Sequence, residues 1–271
     1  MDNRSILDEN RIRAEAHTRE MEQSNGWLIS ASIASSILYG GPAGSPGSGN
    51  PRCEPHWFLM NADSVSAIMT SRSRNKAVLN FASYVDPGGG FSFGYMAQEE
   101  SLCHASFLYN VLREMPEYYE WNRRNTRGGL YENRAIYTPE VAFGETSCDV
   151  ITCAAPNAGA AGGHGNVSAV DNILTLDSRL SFVRDIAEEN GVETLILGAY
   201  GCGAAGQDPE NVCNAIFAAF RRTSISNILI AVPGDGRNYR AFSREFERYR
   251  AWLPCFGKNG GRRYEGNANV S

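Results

Sequence analysis

Four short apolar runs do most to limit what this chain can fold into: residues 77–82 (AVLNFA), 150–154 (VITCA), 194–199 (TLILGA) and 227–232 (NILIAV). Each is continuously apolar rather than alternating, the pattern of central strands covered on both faces. Residues 58–60 (FLM) are a further strand candidate. Helical spacing fills the gaps between them. Leu108, Val111, Leu112 and Met115 recur at i, i+3, i+4, i+7, and Pro116 is expected to stop that helix. Residues 177–191 place Leu180, Val183, Ile186 and Ala187 on one side and end at Gly191, a natural residue just past a helix end. Residues 209–222 open with a proline and carry Val212, Ile216, Ala219 and Phe220 inward, and Phe242, Phe246, Tyr249 and Leu253 repeat the spacing near the end. Strands alternating with such helices predict an α/β layered fold, one domain with helices on both faces.

Around this body the pattern loosens. Residues 4–23 read as a polar helix with a thin stripe of Ile6, Ile12, Ala16 and Met21, expected to pack on the larger body. Residues 40–51 (GGPAGSPGSGNP) read as a linker or long surface loop, and 257–271 as a disordered tail. The expected division is an N-terminal helical segment with its Gly/Pro/Ser-rich loop (1–50), a main α/β body (51–256) and the tail. No apolar run approaches the ~20 residues that span a bilayer, and the charged start has no signal-peptide core, so a cytoplasmic address without a membrane partner is expected. The 7 cysteines are scattered without a C-x-x-C pair, and the 4 histidines are dispersed. That argues for free thiols over disulfides or zinc, and neither a metal nor a cofactor is expected. A net charge of −5 argues against sequence-independent or sequence-specific nucleic-acid binding. It still allows a phosphorylated small ligand, because oriented backbone N–H groups hold phosphate without basic side chains.

Ligands in such folds bind where strands run into the following loops. Two loops are suited to hold one: residues 86–100, after the run 77–82, and Gly201-Cys202-Gly203-Ala204-Ala205-Gly206, after the run 194–199. A lone glycine cluster is more often a turn than a ligand site, but here two fall at strand-to-helix junctions. A third stretch, 158–165 (AGAAGGHG), reads as a mobile lid or a long connection. Within the first loop, Gly88, Gly89 and Gly90 precede Gln98, Glu99 and Glu100. Acidic residues favour any helix start through the dipole. Behind a ligand-holding glycine loop, however, a carboxylate there points into the site. Successive helical residues diverge by ~100°, so the two glutamates are not expected to face the same atom. One is expected to act as catalyst and the other to bind or orient, and position does not decide which.

GGG, seven intervening residues and QEE together resemble the signature of the poly(ADP-ribose) glycohydrolases, and the setting VLNFASYVDPGGGFSFGYMAQEESLCHASFLYNVL is similar to their bacterial-type branch. The likeness extends through DVITCAAPN and LILGAYGCGAAGQDPENV, covering roughly residues 8–247. The resemblance implies a macrodomain-like three-layer α/β/α fold with a mixed central sheet and an N-terminal helical extension. It implies hydrolysis of the ribose–ribose O-glycosidic bonds of poly(ADP-ribose) from the chain end, releasing ADP-ribose. Carried over, Glu100 is the acid/base and Glu99 contacts the distal ribose. Ser83, Gly88, Gly89, Gly90 and Gln98 line the ribose side, and Gly201, Cys202, Gly203, Ala204, Ala205 and Gly206 close over the diphosphate. Partners would be poly(ADP-ribose) or other ADP-ribosylated macromolecules. The chain departs from the branch at Ala205, where an aromatic is usual, at Ser83, where many macrodomains have asparagine, and at AVPGDGRNYRAF, which leaves Tyr239 and Phe242 as adenine-stacking candidates. Two alternatives stay open: an ADP-ribose-binding module with little catalysis, and a hydrolase of mono-ADP-ribosyl linkages.

Overall fold

The computed structural model describes residues 3–40, 53–161 and 167–252. Most of the linker, the tail, Leu253 and residues 162–165 of the third glycine stretch lie outside them. The chain runs α1 (Asn3–Ser35), β1 (Ile37–Gly40), β2 (His56–Met60), α2 (Ser64–Thr70), β3 (Lys76–Phe81), α3 (Gln98–His104), α4 (Leu108–Leu112), α5 (Pro116–Arg124), β4 (Arg134–Phe143), β5 (Thr146–Cys153), α6 (Ala158–Ala161), α7 (Ala169–Glu189), β6 (Thr194–Gly198), α8 (Pro209–Phe220), β7 (Asn227–Ala231) and α9 (Arg237–Trp252). One mixed sheet of 7 strands has the order β1-β4-β5-β3-β6-β7-β2. β5, β3, β6, β7 and β2 are parallel, while β4 runs antiparallel to β5 and to β1.

Alternate strand residues feed two cores, one on each face, because successive side chains of a strand point to opposite sides. Ala77, Leu79, Leu195, Leu197, Ile228 and Ile230 join α7, α8 and α9 in one cluster. Val78, Val150, Ile196 and Phe143 join α1, α2, α3, α4 and α5 in the other. The continuous apolar runs are therefore strands buried on both faces, and the fold is α/β in three layers.

Two local expectations change, and one strand lies outside those expected. Pro116 does not merely stop a helix: α4 ends at Leu112, and Pro116 opens α5 at its first turn, where its missing N–H costs nothing. β4 carries no continuous apolar run, and its Pro139 sits in a bulge between Thr138 and Val141, a position open to proline within a sheet. Of the expected α1 stripe only Met21 packs against the body; Ile6 and Ile12 are 42% and 60% exposed, and Ala16 is exposed as well. Ala14, Thr18, Ile29 and Ser32 face the body instead. Small and hydrogen-bonding residues suit that face because it docks against a backbone. A Cβ on Gly94 would lie 2.2 Å from the Leu7 carbonyl oxygen, and Asn10 Nδ2 donates to the Gly94 carbonyl at 3.1 Å.

Candidate active site

The crevice begins where β3 parts from β6. β3 pairs with β5 as far as Phe81↔Cys153, but with β6 only to Val78↔Ile196. The chain leaves β3 for β5 on one side and returns to β6 on the other, so the gap lies at a topological switch point. The Gln98 carboxamide takes the vacant strand's place there. It accepts from Phe81 N–H at 2.8 Å and donates to the Leu79 carbonyl at 3.0 Å. A single residue of a parallel neighbour would make that same pair of bonds. Its Nε2 also donates to Ser64 Oγ. Gln98, expected among the ligand-binding residues, therefore has its amide committed to holding α3 against β3.

That clamp sets the next two residues. Glu99 and Glu100 are both buried. Glu99 accepts from Ser83 N–H at 2.6 Å and from Asn80 Nδ2 at 3.2 Å. Burial pushes its carboxyl up to about 8, opposed by those two donors and reinforced by Glu100 and Asp86. Glu100 accepts from Gly90 N–H at 2.7 Å and from Ala97 N–H at 2.9 Å. The second bond is half of a capping box, the only half possible because Ala97 has no side-chain acceptor. Against the expectation from helical divergence, the carboxylates converge. A Cβ on Gly89 would sit 2.7 Å from Glu100 Oε1 and 2.8 Å from Glu99 Oε2. Side-chain length overcomes the angular separation of the two Cα–Cβ bonds, and Gly89, at φ +60°, leaves the space both carboxylates use. Ser83 contributes its N–H to Glu99, while its Oγ accepts from Asp86 N–H at 3.1 Å.

The second loop forms the opposite wall. Gly206 N–H bonds the Gly203 carbonyl, Gln207 N–H the Gly201 carbonyl, and the Ala205 carbonyl accepts from Ala158 N–H. The N–H groups of Gly203, Ala204 and Ala205 have no partner among the described residues and form a run of donors suited to an anion. The start of α8 does not add to it. The Asp208 carboxylate caps Glu210 and Asn211 N–H and pairs with Arg237, so the helix dipole is already satisfied. Burial pushes the Cys202 thiol up to about 12, leaving it neutral. Phe242 is fully buried in the α8–α9 core and offers no face to a ligand, and Tyr239 is a partly buried member of the same packing. Phe242 is thereby closed to adenine stacking, whereas Tyr239 is only partly buried.

Two residues without a sequence-derived role matter here. Asn80, fully buried in β3, holds Glu99 and donates to Thr152 Oγ1, and its own Oδ1 lacks a partner. Its signal was a lone amide inside an apolar run. Arg179 is fully buried and bonds Asn133 Oδ1 and the carbonyls of Ala154 and Leu130, tying the end of β5 in place. Among the described residues no group of three His, Cys, Asp or Glu side chains is placed to hold a metal ion, and no helix is long and apolar enough to cross a membrane.

An α/β domain with a switch-point crevice, a run of free N–H groups on one wall and two converging carboxyls on the other defines the class. Known proteins resemble it as follows. The sequence model described as "Microbial-type PARG, catalytic domain" matches residues 12–144. The poly(ADP-ribose) glycohydrolase of Thermomonospora curvata is similar in structure, with a TM-score of 0.74 and 26% identity over 88% of this chain and 100% of that one. Its complex with the inhibitor ADP-HPD gives a TM-score of 0.75. The enzyme of Deinococcus radiodurans in complex with ADP-ribose gives 0.70, with 27% identity over 82% of this chain and 98% of that one. No curated protein matches. Over most of its length the chain is similar to bacterial poly(ADP-ribose) glycohydrolases.

Proposed function

We propose that the chain hydrolyses the ribose–ribose bonds of poly(ADP-ribose) from the chain end, releasing ADP-ribose, in the cytoplasm. The observation that carries this is the convergence of two buried carboxyls on Gly89 at the mouth of the crevice, in a chain similar to enzymes of that activity. Cleavage breaks the bond between the distal ribose C1″ and the leaving 2′-oxygen, through an oxocarbenium-like state. Glu100 donates a proton to the leaving oxygen, then takes one from the water that adds to C1″. Glu99, neutral at pH 7 with its carboxyl raised to about 8, can share a proton with a ribose hydroxyl. The diphosphate lies along Gly203, Ala204 and Ala205, where its charge also favours the cationic transition state. Gly88, Gly89 and Gly90 allow the ribose close to the backbone, and the helix α1 acts as a brace for the catalytic body.

One observation favours a second assignment, in which the glutamates exchange roles: a neutral Glu99 is itself a ready proton donor. Release of ADP-ribose from poly(ADP-ribose) by wild type, Glu100→Gln and Glu99→Gln separates the two. The expected result is a fall of ~10²–10⁴-fold for Glu100→Gln with ADP-ribose affinity little changed, and loss of both turnover and affinity for Glu99→Gln. Near-wild-type hydrolysis by Glu100→Gln would overturn the assignment. Tight binding of ADP-ribose by a wild type that hydrolyses neither poly- nor mono-ADP-ribosylated substrates would make the chain a binding module, with Ala205 the first suspect.

A further inference from the structure

Glu100 touches both ends of one loop: its oxygens accept from Gly90 N–H and Ala97 N–H. The segment between, Phe91 to Met96, is anchored by Phe91, which is buried against His104 and Tyr109 with ring centroids 4.6 Å and 4.7 Å away. The rest of the segment turns outward. Phe93, Tyr95 and Met96 are 65%, 57% and 58% exposed, three large apolar side chains grouped beside a buried acid. Tyr95 is also fixed in place. Its N–H bonds the Gly90 carbonyl at 3.1 Å, and a Cβ on Gly90 would lie 2.6 Å from Tyr95 Cδ2. The ring thus rests on the residue whose N–H holds Glu100, with its outer face open.

We propose that Tyr95, flanked by Phe93 and Met96, is the specificity-determining residue on the leaving-group side, stacking the adenine of the penultimate ADP-ribose unit. This rests on the glycohydrolase reading above and deepens it. The leaving 2′-oxygen belongs to an adenosine, and the base hangs from the ribose carbon next to it. An acid that protonates that oxygen therefore stands within a few bonds of an adenine. The Gly203–Ala205 wall takes the diphosphate of the unit being released, so the leaving unit departs past the 91–96 loop. A base has a flat π-face that an open aromatic ring binds regardless of sequence. A mono-ADP-ribosyl linkage to an amino-acid side chain puts no base there, so the ring distinguishes polymer from single modification.

The test uses the full chain carrying Glu100→Gln, which keeps substrate intact, and compares dissociation constants for ADP-ribose and for the two-unit ADP-ribose dimer. Tyr95→Ala is expected to weaken the dimer at least about fivefold, the lower end of what loss of a base-stacking ring costs, and to leave free ADP-ribose unchanged. Tyr95→Phe keeps the ring and is expected to match the parent. In the otherwise wild-type enzyme, Tyr95→Ala raises KM for the polymer while kcat stays near its starting value. Equal weakening of monomer and dimer would make Tyr95 a support of the loop alone and overturn the proposal, as would a dimer affinity indifferent to Tyr95→Ala. Failure of the parent to bind free ADP-ribose at all would instead overturn the functional reading on which the proposal rests.

Discussion

Replacing Gly89 with alanine tests the site where its geometry is tightest. The change carries two separable costs. Gly89 has φ +60°, and an L-residue in that left-handed region costs ~1–2 kcal/mol. The added methyl would also stand 2.7 Å and 2.8 Å from the two carboxylates, where a carbon–oxygen contact prefers about 3.3 Å. Both carboxylates must retreat by roughly half an ångström, or the loop must. The bond from Gly90 N–H to Glu100 is the one most directly stretched, and an intramolecular hydrogen bond is worth ~0.5–1.5 kcal/mol net. The expected total is about 1.5–3.5 kcal/mol, which for a chain of this size lowers Tm by roughly 3–14 °C. Gly191→Ala is the control for the first cost alone. That residue has φ +67° and nothing within 4 Å of an added Cβ, so only the ~1–2 kcal/mol conformational cost applies. In an assay of ADP-ribose release, Gly89→Ala should lose ~10²-fold in kcat/KM, the scale at which small misplacements act, and Gly191→Ala should lose almost nothing. Equal melting shifts for the two variants, with near-wild-type turnover by Gly89→Ala, would refute the convergence of the carboxylates on this residue.

Two further outcomes follow from the same geometry. Gly203 has nothing within 4 Å of an added Cβ, so Gly203→Val should leave the melting curve of the free protein unchanged while weakening ADP-ribose binding by at least tenfold, ~1.4 kcal/mol, in calorimetric titration. The Glu99 carboxyl is raised from 4.5 to about 8 on folding, so between those values the folded state binds more protons than the unfolded one. Wild-type stability relative to Glu99→Gln is thus fully present below about pH 4.5 and lost as pH rises through about 8, and denaturant titrations across that range should show the gap.

The sequence made the sheet legible wherever burial was two-sided. β3, β5, β6 and β7 announced themselves as unbroken apolar runs because each packs against both cores. β4 did not, since its pattern is interrupted by Pro139 and by a bulge that only its pairing with β5 explains. The outer face of α1 misled for a related reason. The helix docks on backbone at Gly94 and on the Ser106 carbonyl through His17 Nε2, at 2.8 Å, so the small and polar Ala14, Thr18 and Ser32 interrupt the apolar contacts of Met21, Ile29 and Ile33 and blur the stripe. In the crevice, the motifs marked which segments matter but not how each side chain is spent. Gln98 lies within the signature yet serves as a strand surrogate, whereas Asn80, which holds Glu99 in place, belongs to no motif. Arg179 shares the inward face of α7 with Val183 and Ile186, four and seven residues on, and its guanidinium is tolerated there because three oxygens from separate segments satisfy it.

These contacts form a sequence of dependencies leading from the N-terminal helix to the acid. Asn10 and the Leu7 carbonyl fix Gly94. Gly94 N–H closes the tight turn onto Phe91, and Tyr95 N–H bonds the Gly90 carbonyl. Gly90 and Ala97, the two ends of that loop, then hold the two oxygens of Glu100. No residue of α1 needs to reach the crevice for this to work. The individual bonds are worth only ~1 kcal/mol each, too little to account for the fold, but each acts on geometry. A loop of left-handed glycines has many conformations available to it, and a carboxyl anchored to both its ends inherits that freedom unless something outside restrains the tip. The long polar helix supplies the restraint. A glycine-rich loop can then be open enough to admit a ribose and still present its acid in one place.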